Sequence, residues 1–319
     1  MNIKPLSMRD ALLERIWEKM LTDPSIFFVS ADFGSPVLDK IREDFPDRFV
    51  NVGIAEQNLI NVSAGLAIEG YTVFVYAIAP FITMRCFEQI RVNLALLSEA
   101  RPMNVNLIGV GAGYSYVVSG PTHQCYEDII IMRALPNFQI FSPADHITTS
   151  ALFDNCTGKG LRYFRLDAQV QPVLYPSGLP AQSDGFSVHQ KGDKLCLIAT
   201  GFMTHTALKV VNKMDENGLK IGIIDIFDLT NFSKEALKKE LKSYAAVASL
   251  EEGFRGRGGL DAILSEFIAE DGLNLKTLSI GVNPGYSFDL GSRDELHEQA
   301  GIGVQSVLKK IQTFLKSTT

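Results

Sequence analysis

The sequence predicts an α/β protein of two domains, each a mainly parallel sheet flanked by helices, and three observations predict it. Short runs rich in Val, Ile and Phe alternate with longer segments of helical period along the chain. One stretch rich in Pro, Gly, Ser and Gln, AQVQPVLYPSGLPAQSDGFSVHQKGD, breaks that alternation as an inter-domain connection does. The length of 319 residues suffices for two ordinary domains, each with a core of its own. The expected limits are 1–170 for the first domain, 171–190 for the linker and 191–319 for the second.

The elements follow in order. DALLERIWEKML reads as a helix started by Ser7, with Asp10 three residues on as the second half of a capping box. SIFFVS, RFVNVG, TVFVYAIA, MNVNLIGV, FQIFS and LRYFRL read as strands. Between them lie helical patterns, IAEQNLINVSAGLAIEG with an apolar stripe of Ile54, Leu59, Val62 and Leu66, then CFEQIRVNLALL and CYEDIIIMRAL. After the connection come KLCLIATG as strand, TALKVVNKMDENG as helix ending at Gly218, and LKIGIIDIFDL and YAAVASLEE as strands. A Gly-rich turn, the helix LDAILSEFIAEDG and the strand NLKTLSIGV complete the series.

Composition narrows the function. With 46% hydrophobic and 21% charged residues and a net charge of -6, the chain offers nucleic acid no basic surface. YTVFVYAIAPFI is too short to span a bilayer, so no membrane role is expected. The first residues lack the apolar core of a signal peptide, and the expected location is the cytoplasm. Cys86, Cys125, Cys156 and Cys196 lie far apart without a C-x-x-C pair, against zinc or a disulfide framework. In open α/β sheets ligands bind beyond the carboxyl ends of strands, which directs attention to the loops there. SADFGSP carries Asp32, which an Asx turn would explain equally well. FVNVGIAEQN sets Glu56 in a first helical turn, where the helix dipole alone stabilises an acid. GVGAGYSYVVSGPTHQCYED is long, Gly-rich and aromatic and brings His123 and Gln124 to an expected helix start. GFRGRGGLDA fits close packing of helix on strand better than an anion site.

Three segments in register, GIAEQNLINVSAGLAIEGY, GPTHQCYEDIIIMRALPNFQIFSPAD and SLEEGFRGRGGLDAIL, resemble the second half of thiamine-diphosphate enzymes of the transketolase family. The resemblance implies a pyrimidine-binding domain followed by the family's C-terminal domain. It implies that Glu56 is a buried carboxyl that hydrogen-bonds the ring nitrogen of the cofactor's aminopyrimidine and shares a proton with it. His123 matches a residue contacting the donor's oxygens near the reacting carbon, and Asp32 an acid of the cofactor pocket. Arg9, Ser35 and Arg165 fall near positions that hold a substrate phosphate, a role suited to bidentate Arg, although structural ion pairs are the alternative for both arginines. The family sets an aromatic ring on the aminopyrimidine where this chain has Ile82, with Phe81 adjacent and Arg85 in the same segment, APFITMRCFEQIR. Ser119 stands where an acid is usual and Gly111 where a histidine is common, pointing away from an ordinary pentose phosphate donor.

The G-D-G and following Asn that hold diphosphate and Mg2+ in the family are not found in context here. The resemblance therefore implies thiamine diphosphate shared with a partner subunit that binds the Mg2+, in an α2β2 assembly, with a homodimer for the isolated chain. The expected reaction is transfer of a two-carbon ketol unit from a ketose, such as a sugar phosphate, to an aldehyde. The alternatives are a 1-deoxyxylulose-phosphate-synthase-like enzyme, a decarboxylating 2-oxo-acid dehydrogenase β subunit, or a non-catalytic partner.

Overall fold

The apolar runs are parallel strands buried on both faces, as near-continuous Val, Ile and Phe require when helices cover each side. The computed structural model describes residues 4–318 except 33, 181 and 217. The first domain contains α1 (Met8–Met20), β1 (Ile26–Ser30), α2 (Pro36–Asp44), β2 (Phe49–Asn51), α3 (Glu56–Ile68), β3 (Thr72–Ile78), α4 (Phe87–Gln89), α5 (Leu97–Ala100), β4 (Asn104–Val110), α6 (Asp128–Arg133), β5 (Phe138–Phe141), α7 (His146–Leu152) and β6 (Gly160–Leu166). Its six strands run parallel in the order β2-β1-β3-β4-β6-β5. The second contains β7 (Phe186–Gln190), β8 (Leu195–Ala199), α8 (Met203–Asp215), β9 (Gly222–Ile226), α9 (Lys234–Leu241), β10 (Ala246–Phe254), α10 (Leu260–Glu270), β11 (Lys276–Val282), α11 (Arg293–Ala300) and α12 (Val304–Thr318). The order of its sheet is β11-β10-β8-β9-β7, with only β7 antiparallel.

The span expected to be linker is not all loop, because β7 pairs with β9 at the edge of the second sheet. Phe186 and Val188 pack on the core there, a two-residue apolar alternation that the surrounding Gly, Ser and Gln conceal. One apolar cluster runs through both domains, joining α3, α6 and α10 with residues of both sheets. The opposite faces are covered separately, by α1 and α2 in the first domain and by α8 and α12 in the second.

Details of local chemistry differ from expectation. Ser7 caps α1 by accepting from Asp10 N at 3.0 Å, but the Asp10 carboxylate is held by Arg9 Nε at 2.9 Å. Between β3 and β4 the chain widens into π-helical turns at Phe81–Arg85 and Ile90–Leu96, a geometry frequent at functional sites. No helix among the described residues is long and apolar enough to cross a membrane.

Candidate active site

The loops after β1, β2, β3 and β4 open at one edge of the first sheet, and most predicted site residues lie there. Glu56 is the first residue of α3 and is 6% exposed. The buried face of this helix is Glu56, Leu59, Ile60, Ser63, Ala64 and Ala67, spaced at three and four residues. The acid thus begins the stripe that faces the core. Ile54 precedes the helix and is 75% exposed, contrary to the expected stripe, while Val62 and Leu66 are half-buried against the core. The helix starts two residues later than the pattern suggests, because the turn at Gly53, with φ +74°, comes first.

From Glu56 a row of side chains crosses the opening. Arg85 Nη1 donates to Glu56 Oε1 at 3.0 Å and Oε2 at 3.2 Å. The Arg85 guanidinium lies 3.9 Å from the centroid of Phe81, four residues earlier on the same widened turn. Phe81 meets the His123 ring edge-on at 5.2 Å, and Tyr116 meets it at 6.2 Å, also edge-on. Thr122 Oγ1 is 3.0 Å from His123 Nδ1. Ile82 does not join this row, since its side chain is fully enclosed in the shared core. His123 lies five residues before α6 rather than at a helix start, because Cys125 pairs with Gly113 and Gln124 N donates to Gly120 O, holding the segment as a turn.

Asp32 takes φ +50°, unusual for a residue with a side chain, and costs of order 1–3 kcal/mol unless its surroundings fix it. Asn51 supplies the fixing: it accepts from Asp32 N at 3.2 Å, donates to Asp32 Oδ1 at 3.1 Å and accepts from Gly53 N at 2.9 Å. Asn51 thereby ties the Asp32 turn to the turn leading into Glu56. Sequence reasoning missed it; an Asn at a strand end two residues before Gly was the available signal. Ser35 caps α2, accepting from Leu38 N at 3.1 Å, and Ser119 is exposed in the loop of His123.

Arg165 is not brought to the opening. Its guanidinium is buried, its Nε donates to both oxygens of Asp128 at 3.0 and 2.9 Å, and its Nη2 reaches Glu252 O at 3.4 Å. Its assignment to substrate gives way to a structural role, because its strand position turns it toward α6. Arg9 stays nearer, half-buried and held by Asp10.

Arg165 belongs to a buried polar network between the domains. Glu252 accepts from Arg293 Nη2 at 2.8 and 2.9 Å, from Tyr114 N at 3.2 Å, and lies 2.6 Å from His297 Nε2. Burial works to raise the Glu252 carboxyl, but Arg293 and His297 prevail and hold it far below the usual carboxylate range. Arg293 also pairs with Asp167 at 2.6 Å. The adjacent Glu251 occupies the N-terminus of α10, accepting from Asp261 N at 3.2 Å, and burial pushes it up to about 7. The Gly-rich turn is the packing device expected: a Cβ on Gly259 would lie 2.3 Å from Glu251 Oε2. Its helix end is filled by the chain's own acid.

The row around Glu56 is an open face rather than a cavity, with Arg85, Met84 and Gln57 exposed. A cleft of about 520 Å³ lies elsewhere, between the starts of β5 and β6 and the second domain, and holds none of the predicted residues. The donor set at the row nevertheless fits an aminopyrimidine. A carboxylate offers about four lone-pair positions and Glu56 is contacted by a single nitrogen of Arg85, leaving acceptor capacity beside an aromatic ring. Among the described residues no group of three or more His, Cys, Asp or Glu could hold a metal ion.

Comparison with known proteins agrees in both domains. The transketolase pyrimidine binding domain matches residues 4–166 and the transketolase C-terminal domain matches residues 185–307. The chain is 31% identical to a subunit of the apulose-4-phosphate transketolase of Actinobacillus succinogenes, covering 83% of this chain and 84% of the relative. It is 28% identical to the like-named subunit from Phocaeicola vulgatus, over 98% of both. A solved split gene transketolase, described as an inactive beta4 tetramer, superimposes with a TM-score of 0.83 at 28% identity, covering 97% of this chain and 98% of that one.

Proposed function

Because this chain belongs to the transketolase family, carrying its pyrimidine binding and C-terminal domains, we propose that it works as one subunit of a two-chain, thiamine-diphosphate-dependent transketolase that moves a two-carbon ketol unit from a ketose to an aldehyde. The family is thiamine-diphosphate-dependent and its reaction is group transfer, so synthase-like, decarboxylating and non-catalytic readings are not favoured. The observation that carries the site assignment is the contact row Glu56, Arg85, Phe81 and His123 at the strand ends.

When bound, thiamine diphosphate supplies a carbon nucleophile and an electron sink for breaking a carbon-carbon bond next to a carbonyl. This chain would hold the aminopyrimidine end, with Glu56 as proton partner of its ring nitrogen and Phe81, not Ile82, as the apolar ring beside it. Arg85 fixes the Glu56 carboxylate from the open side. His123, oriented through Thr122 and Phe81, would hydrogen-bond the donor's oxygens. Asp32 and Asn51 would fix the turn that delivers Glu56. The diphosphate and Mg2+ we assign to a partner subunit in an α2β2 enzyme. Two relatives of similar length are named as transketolase subunits, and exposed Ile54, Met84 and Val118 flank the row. A cytoplasmic location belongs to this reading, with four free, buried cysteines as a reducing compartment allows. The first domain is taken as 1–170, and β7 is counted with the second.

The test is to assemble this chain with a subunit carrying G-D-G and Asn, and to assay transfer from ketose to aldehyde beside carbon dioxide release from pyruvate. Ketol transfer that depends on both chains is expected. Rapid release from pyruvate, or transfer by this chain alone, would overturn the reading.

A further inference from the structure

Beyond His123, at the far end of the row from Glu56, stands Tyr116, to which neither the motifs nor the resemblance gives a role. Its ring lies directly on Gly111: a Cβ built there would sit 2.1 Å from Tyr116 Cε2. Gly111 also takes φ +105°, so backbone and space both demand glycine, and the ring is seated rather than loosely draped. Tyr116 is half-buried, yet its hydroxyl oxygen is enclosed and has no hydrogen-bond partner among the described residues. Burial pushes that hydroxyl up to about 12, so it carries no charge at neutral pH. What the residue offers the opening is therefore its apolar ring, set edge-on to His123 at 6.2 Å.

We infer that Tyr116 is a specificity-determining residue, a wall that limits how far the donor ketose extends past the carbon next to His123. The inference rests on the proposed placement of the donor at His123. If Glu56 marks the cofactor end and His123 the reacting carbons, the remainder of the donor runs toward Tyr116. The two arginines expected at a substrate phosphate are engaged elsewhere. Arg9 has Nε and Nη2 on the Asp10 carboxylate, at 2.9 and 3.4 Å, and Arg165, away from the opening, is buried on Asp128. The class admitted is a short-chain ketose whose last carbons pack on an aromatic ring. Longer chains are refused by contact, a repulsive form of selectivity.

The experiment uses the assembled two-subunit enzyme with two uncharged ketoses, four-carbon erythrulose and six-carbon fructose. Replacing Tyr116→Val should raise the ratio of kcat/KM for fructose over erythrulose at least tenfold through a lower KM for fructose. An unchanged ratio, or an equal fall for both donors, overturns the inference. If the Val variant fails to fold by circular dichroism, Tyr116→Leu carries the same comparison. Calorimetric titration of both ketoses reads the wall without turnover, and fructose binding that is equal or undetectable in wild type and variant also overturns it. Glu56→Gln separates the two readings: activity equal to wild type removes the proposed function, whatever the ratio shows.

Discussion

Two regions of this molecule are built from the same residue types, acids, arginines and histidines beside aromatic rings, and behave oppositely. At the interdomain network Glu252, Arg293, Asp167 and His297 are all nearly inaccessible and face one another at 2.6 to 3.1 Å. At the open row Glu56 is buried but its partner Arg85 is about half exposed, and His123 meets its ring neighbours at 5 to 6 Å. The difference teaches where chemistry can reside. A buried charge whose partners are all protein groups is committed, and removing one partner strands the other at a cost of several kcal/mol. A buried acid with a single solvent-facing partner keeps capacity for a ligand.

The strongest way to break this contrast is Arg293→Ala, which takes the arginine from both Glu252 and Asp167 in the interior. A loss of about 3–5 kcal/mol is expected, read as a large fall in denaturation midpoint, and a loss under 1 kcal/mol would refute the committed character of the network. Glu56→Gln should do the reverse. Stability should stay within about 1 kcal/mol, while ketol transfer by the assembled enzyme falls roughly 10²–10⁴-fold, the range for a general acid-base group. A fall in thermal midpoint matching the fall in activity would put Glu56 among the structural acids.

Asp225 sharpens the comparison, because it is enclosed like Glu252 but meets neutral donors, Tyr175 OH at 2.7 Å and Thr204 Oγ1 at 2.8 Å. Burial pushes it up to about 7 despite those hydroxyls. The folded chain therefore holds its proton where the unfolded chain has released it. This opposes folding increasingly as pH rises from about 4 to about 7, and then levels off. Asp225→Asn should flatten that part of the thermal-midpoint profile and raise the midpoint at pH 8 by a few degrees. A profile parallel to wild type would argue that Asp225 is already ionised in the fold. The smallest effect belongs to Asn51→Ala, which frees the Asp32 and Gly53 amides. About 1 kcal/mol of stability should go, together with a rise in the concentration of thiamine diphosphate needed for half-maximal activity. A change in neither would leave Asn51 without the proposed role.

Much of the fold was legible because its signals are local. Strands such as TVFVYAIA are continuous apolar runs, and parallel sheets demand them. The strand β7 was hidden because its burial depends on pairing with β9, more than thirty residues away. For the site, the acid at Glu56 and the loop of His123 stood at strand ends where ligands bind. Phe81 against Ile82 could not be separated, since adjacent residues on a helical turn face different ways only once its winding is known. Arg165 misled because a strand arginine reads alike whether it faces a cleft or Asp128.

By itself the sequence determined that this chain is two α/β domains and that Glu56 and His123 follow strand ends at one sheet edge, the first in a helical turn and the second in a loop, because hydrophobic period and turn residues act over a few positions. Only the tertiary structure decided which arginine is free to serve the opening, that Phe81 and not Ile82 lines it, and that Tyr116 fills the space above Gly111. Those outcomes depend on contacts between residues distant in the chain or on the direction of a single side chain, and no local period encodes either.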